Sequence, residues 1–127
     1  MQKKEVALAI IGWRHYTNWE DFKEKMQQWM DTENDGRFPD RIVSGGAKGA
    51  DAMAERFAEK HNIPTTVYRV SYSQWRKDRG AFHARNTKVV EKSTHVLAFP
   101  SRNGSGTQDT VAKARKGGLF VMEYYVE

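Results

Sequence analysis

The chain has 127 residues and a mass of 14.6 kDa, the size of one domain (1-127) with an ordinary core, and it contains no cysteine. That excludes disulfides, thiolate metal sites and cysteine nucleophiles and suits a reducing, cytoplasmic setting. Lysine and arginine total 21 against 16 acids, a net charge of +5 with no polybasic run, so the expected partners are anionic: nucleotides, nucleic acid or phosphorylated metabolites. No stretch approaches the ~20 apolar residues of a membrane span, and residues 1–5 (MQKKE) are not followed by a signal-peptide core.

In chain order, Glu5 to Ile11 (EVALAII) is a nearly continuous apolar run, which predicts a strand buried on both faces of a parallel sheet. It ends in a polar, aromatic loop from Gly12 to Asn18. Asn18 is a candidate N-cap for a helix from Trp19 to about Met30, with Phe22, Met26, Trp29 and Met30 on its apolar face. The turn-rich segment Thr32 to Asp40 leads to a second strand at Ile42 and Val43. Next comes Ser44-Gly45-Gly46-Ala47-Lys48-Gly49-Ala50-Asp51, then a helix whose apolar face carries Ala50, Met53, Ala54, Phe57 and Ala58.

Strand, small-residue turn and helix together place backbone N–H groups and a helix N-terminus around an anion. Gly45, Gly46 and Gly49 would let backbone approach a ligand closely, with Lys48 adding a cation. The spacing is neither a Walker A loop nor GxGxxG. A tight turn using glycine only for its backbone freedom is the competing reading.

Thr65 to Val70 predicts a third strand, Ser71 to Gly80 a polar loop, and Ala81 to Lys92 a helix. His95 to Phe99 predicts a fourth strand ended by Pro100. A second glycine-rich loop, Ser101 to Gly106, precedes a helix from Thr107 to Lys116 and a last strand beginning at Leu119 to Met122. Five strands alternating with four helices predict an α/β, Rossmann-like, doubly wound and mainly parallel sheet with helices on both faces. Ligands of such sheets bind beyond the carboxyl ends of the strands.

Three loops reach that end. Gly12 and Arg14 follow the first strand, and an arginine there can hold a phosphate bidentately. The residues from Ser44 to Asp51 follow the second, with Asp51 either capping its helix or accepting from a ribose hydroxyl. Pro100, Gly104, Ser105, Gly106 and Thr107 follow the fourth, with amides and hydroxyls for an oxyanion. Arg85 and Asn86 face the same end if their helix begins near Asp78, although from spacing alone an ordinary surface arginine is the better reading. Trp13, Tyr16, Tyr72 and Trp75 are loop aromatics able to stack on a base, although core packing is the usual role of tryptophan. His15, His61, His83 and His95 have no metal-ligand spacing, and neither metal nor cofactor is expected. No GxSxG elbow is present.

The blocks VALAIIGWRHYTN, IVSGGAKGADAMAERFA, FHARNTKVV, HVLAFP and GSGT, in this order, resemble the SMF/DprA–LOG (SLOG) superfamily of Rossmann-like domains. Within it they are most similar to the YspA/YpsA-related small stand-alone proteins, many of which occur in phages or beside bacterial defence systems. The resemblance covers Val6 to about Val121. It implies a nucleotide or nucleotide-derived ligand, a sensor or sequestering role, and a homodimer or higher homo-oligomer. The DNA-processing member of the superfamily binds single-stranded DNA, and the LOG enzymes cleave the N-glycosidic bond of nucleoside 5′-phosphates.

Carried over by position, Gly45, Gly46, Lys48, Gly49 and Asp51 would form the first phosphate and ribose loop. Gly104, Gly106 and Thr107 would match the G-x-G-T of the LOG enzymes. Their catalytic glutamate is replaced by Thr110, with Asp109 one residue early, while Arg85 resembles the arginine that partners it. If the chain were an enzyme, Arg85 and Asp109 would be its catalytic candidates. A threonine cannot supply the carboxylate that stabilises an oxocarbenium ion, so the resemblance favours binding over hydrolysis. A small nucleotide ligand is expected ahead of a polynucleotide.

Overall fold

A computed structural model describes residues 4–102 and 106–126. Five parallel strands form one sheet: β1 (Ala7–Gly12), β2 (Arg41–Ser44), β3 (Thr65–Val67), β4 (His95–Phe99) and β5 (Phe120–Glu123), in the order β3-β2-β1-β4-β5. Two central strands, β1 and β4, pair over five residues from Leu8↔His95 to Gly12↔Phe99 and are buried on both faces, as the apolar runs required. Chain order runs outward from β1 through β2 to β3, then restarts beside β1 at β4. The reversal therefore lies between β1 and β4.

The described residues form five helices: α1 (Trp19–Glu33), α2 (Ala50–Lys60), α3 (Tyr72–Lys77), α4 (Ala81–Glu91) and α5 (Gly106–Lys116), of which α3 is short, buries no residue and packs on α4. The period-two alternation of β1 separates two cores. Leu8 and Ile10 face α1 and α2, packing with Phe22, Met26, Trp29, Phe57 and Phe99. Ala7, Ala9 and Ile11 face α4 and α5, packing with Val89, Val111 and Ala114. The first core is aromatic and thick, the second built from small residues. Among the described residues no helix is long and apolar enough to cross a membrane.

Three expectations need correction. Ser71 to Gly80 is not a plain loop: it carries α3. Ser71 Oγ accepts from Gln74 N at 3.1 Å and Gln74 Oε1 accepts from Ser71 N at 2.8 Å, a reciprocal cap that nucleates one short helix. The S-x-x-Q spacing was the available signal. The third strand stops at Val67 rather than Val70, because β3 is an edge strand and Tyr68 N makes the last bond to β2, at Ser44 O. Helix α1 continues to Glu33, three residues past Met30, while its cap is Asn18 as expected, with Asn18 Oδ1 accepting from Asp21 N.

Candidate functional site

A cleft of about 300 Å3 opens at the carboxyl ends of the strands, over the reversal point. Its floor is Ile11 of β1 and Val89 of α4. Gly12, Trp13 and Arg14 form one wall, Gly45, Ala47 and Asp51 a second, and Phe82, Arg85 and Asn86 of α4 a third. Ser101, Gly106, Thr107 and Thr110 close it at the start of α5. The first loop is held in place from both sides: Trp13 N donates to Phe99 O at 2.9 Å, and Tyr16, buried against Phe99, donates its hydroxyl to Asp21. Tyr16 and Trp19 therefore belong to the core, and Trp13 is the first-loop aromatic that reaches the cleft.

The Ser44–Asp51 loop is built differently from an open phosphate nest. Gly46 N donates to Ser44 Oγ at 3.0 Å, and Ala47 N to Asp51 Oδ2 at 3.3 Å. Gly45 N also donates to Asp51. The loop's own side chains thus occupy these amides. The glycines make room for protein groups rather than for a ligand. A Cβ at Gly45 would lie 2.6 Å from an Arg85 guanidinium nitrogen, one at Gly46 would collide with Arg69, and one at Gly49 would enter the backbone of Trp13 and Arg14.

Ser44, Gly46, Lys48 and Gly49 consequently do not line the cleft. Ser44 is buried with its hydroxyl on Glu55, and Lys48 points to solvent. Pro100 is buried beneath the rim. Gly104 and Ser105 lie outside the described residues. Gly12 does line the cleft, but its missing Cβ leaves space for Phe99 and Ala50.

What does converge is a charged chain running from α2 to α5. Arg85 donates from Nη1 to Gly45 O at 2.5 Å and from Nε to Asn86 Oδ1 at 2.9 Å. Of the five N–H donors of a guanidinium, three remain for a ligand. Asn86 Nδ2 passes the chain on to Asp109 at 3.0 Å, and Asp109 also meets Lys113 at 2.8 Å and His83 at 3.2 Å. Hydrogen bonds from Lys113 and Asn86 hold the Asp109 carboxyl down at about 2. Asp109 is not part of the cleft lining. Thr110, one residue on, is buried and does line it.

Among the residues lining the cleft, Asp51 carries the one carboxylate. Burial pushes it up to about 6, against the Ala47 and Gly45 amides and the Arg85 charge, which pull it down. Burial likewise lowers Arg85, with Asp51 opposing. Phe82, whose ring lies 5.4 Å from the Arg85 guanidinium, joins Trp13 as a second aromatic side chain in the lining. Thr110 lines the cleft in the slot the resemblance gave it, whereas Phe82 and Ser101 were not candidates from sequence. Only the turn of α4 and the close approach of α4 to α5 bring Phe82 and Thr110 to this opening. No group of three or more His, Cys, Asp or Glu among the described residues stands close enough to hold a metal ion.

Known proteins give the cleft a context. The Gene 61 protein of Mycobacterium phage D29 is 33% identical over an alignment of 89 residues that covers 65% of this chain and 70% of that protein. The chain belongs to the family of that phage protein. No protein-family profile matches it. The DNA processing protein A (DprA) of Streptococcus pneumoniae superposes with a TM-score of 0.68 at 22% identity, over 94% of this chain and 50% of that one. The chain thus has the fold of a DprA segment and spans half of that protein's length.

Asp51 makes the stability of the chain depend on pH. An aspartate titrating near 3.8 when unfolded and at about 6 when folded keeps its proton in the native state across that window while the unfolded chain releases it. Its contribution is therefore full below 3.8, declines as pH rises, and is lost above 6. The change is roughly 3 kcal/mol. Asp51→Asn still accepts from the loop amides and should abolish this component. Urea denaturation from pH 4 to 7 should show the variant gaining stability relative to the native chain as pH rises. A difference that is flat or of opposite sign contradicts the assignment.

Proposed function

We propose that the cleft binds a nucleotide, free or at the end of a strand, and holds it without cleaving it. The observation that carries this is the meeting of unspent Arg85 donors, Arg14, the α5 N-terminus with Thr107, and the Asp51 acceptor between two aromatic walls. Phosphate is taken by Arg85, Arg14 and the first amides of α5, where the helix dipole favours negative charge. The occupied amides of the Ser44–Asp51 loop and the carboxylate they hold suit a neutral donor, so the ribose hydroxyls or a base amine belong beside Asp51. Trp13 and Phe82 accept the base.

The structural neighbour is a DNA processing protein, and a nucleotide in either form is compatible with that description. The block-by-block resemblance to YspA/YpsA-related proteins points the same way.

Hydrolysis of the N-glycosidic bond is a poorer reading. Thr110 stands in the cleft where the LOG enzymes have glutamate, and Asp109 is tied to Asn86, His83 and Lys113. Titration calorimetry with AMP, CMP, GMP and UMP, followed by chromatography of the incubated mixtures, tests both parts. The expected result is measurable affinity with no released base. Absence of affinity for all four, in a folded protein, overturns the binding reading. Base release that is lost in Asp51→Asn or Asp109→Asn makes the chain an enzyme.

A further inference from the structure

A second groove, of about 390 Å3, lies on the other side of Arg85. Helix α4 presents two faces: Phe82, Arg85, Asn86 and Val89 toward the first cleft, and Ala81, Ala84, Arg85 and Lys88 toward the second. Arg85 stands on the boundary and lines both. Ala81 and Ala84 leave the second groove open where longer side chains would fill it. Its opposite wall is Tyr68, Arg69 and Val70 beyond β3, and its end is Gln74, Lys77 and Asp78 around α3.

The groove is cationic, and two of its cations are uncommitted. Arg69 is engaged with Gly46 O at 3.0 Å and Glu55 at 2.7 Å. Lys77 and Lys88 have no partner among the described residues. The acid of the groove, Asp78, accepts from Gly80 N at 2.8 Å. On the face of α3 turned away from Gln74 and Lys77, Tyr72 is 71% exposed, with its ring 5.8 Å from that of Trp75, which stands one turn before Asp78. Arg76 lies 5.9 Å over Tyr72 and Arg79 lies 3.9 Å over Trp75. Exposed rings interleaved with cations form a surface on which a base stacks while its phosphate is neutralised. A structural ion-pair network would have matched these cations with acids. An anionic peptide would use the lysines but leave the rings idle.

We infer that the groove between α3 and α4 is a second phosphate subsite, joined to the first through Arg85, so that the ligand carries two phosphates separated by a nucleoside. Lys77 and Lys88 take the second phosphate, and the base that follows it turns over the edge of α3 onto Trp75. This rests on the proposed function of the first cleft and narrows its ligand to a dinucleotide or the end of a single strand.

The test compares dTMP, the 5′-phosphorylated dinucleotide pTpT and a (dT)8 strand on the native chain and on Lys77→Ala/Lys88→Ala, which alters no residue of the first cleft. The native chain should bind pTpT at least about tenfold tighter than dTMP. The double variant should lose that gain while its dTMP affinity stays within about twofold. Trp75→Phe should keep the gain, and Trp75→Ala should reduce it, with circular dichroism confirming the fold. A gain complete at pTpT assigns a dinucleotide, and a further gain with (dT)8 assigns a strand. Equal affinity for dTMP and pTpT overturns the subsite and leaves the first cleft standing. A gain unchanged in the double variant also overturns it. Failure to bind any of the three overturns the subsite, while the affinities for AMP, CMP, GMP and UMP decide the first cleft independently.

Discussion

Arg85→Ala is expected to lower nucleotide affinity by about a hundredfold or more. The guanidinium offers three unspent donors at the opening, and a hydrogen bond to a charged group is worth roughly 1.5–3 kcal/mol. Loss of two such bonds costs about 3 kcal/mol, or two decades of dissociation constant. A second effect adds to this. Arg85 also steadies Gly45 O and opposes the charge of Asp51, so its removal raises Asp51 further and loosens the wall that presents it.

Arg85→Lys separates the two effects. A lysine keeps the charge beside Asp51 but loses the planar fork, so it should recover stability more fully than affinity. Calorimetry paired with thermal melts reads both quantities. Undiminished affinity in a folded Arg85→Ala protein would remove Arg85 from the site.

Gly49→Ala should destabilise the fold by roughly 4 kcal/mol, a large part of the ~5–15 kcal/mol that holds a domain together. Gly49 has φ 75° and ψ −125°, a region that residues with a Cβ avoid at a cost of about 1–3 kcal/mol. The added methyl would also stand 2.6 Å from the carbonyl carbon and oxygen of Arg14, and such crowding adds about 1–3 kcal/mol. Neither contact is a flexible side chain that can swing away. The strain falls on the loop that carries Arg14, so affinity should fall in protein that still folds at low temperature. Urea denaturation against Gly117→Ala, where the nearest atom is 3.4 Å away, supplies the comparison. Equal stability of the two variants would mean that Gly49 has freedom the structure denies it.

Much of this architecture is written in periodicity. The run from Ala7 to Ile11 alternates between two buried faces, and only a central strand of a parallel sheet covered on both sides accommodates that. Five strands alternating with helices then oblige right-handed crossovers and a ligand-binding end. Asn18 announced α1 because a side-chain oxygen ahead of an amphipathic run has one obvious amide to accept from. Arg14 and Asp51 were legible as candidates because each falls where a strand or helix meets that end, whereas Arg85 stood out through the family resemblance rather than through spacing.

The sequence by itself thus determined the fold class and the end of the sheet where the cleft opens, since these follow from short-range pattern and chain connectivity. Only the tertiary structure decided how the glycine loop is used. Its amides turn inward to Ser44 and Asp51, because Arg85 and Arg69, from 40 and 23 residues away, fill the space its missing side chains leave. It also decided that Arg85 is shared between two openings and that Phe82 joins the lining of the first. A rotation of ~100° per residue separates neighbours on a helix, and which of them faces the cleft depends on how α5 docks against α4 and the sheet. That docking is fixed by side chains meeting across long sequence separations, a quantity that no local pattern contains.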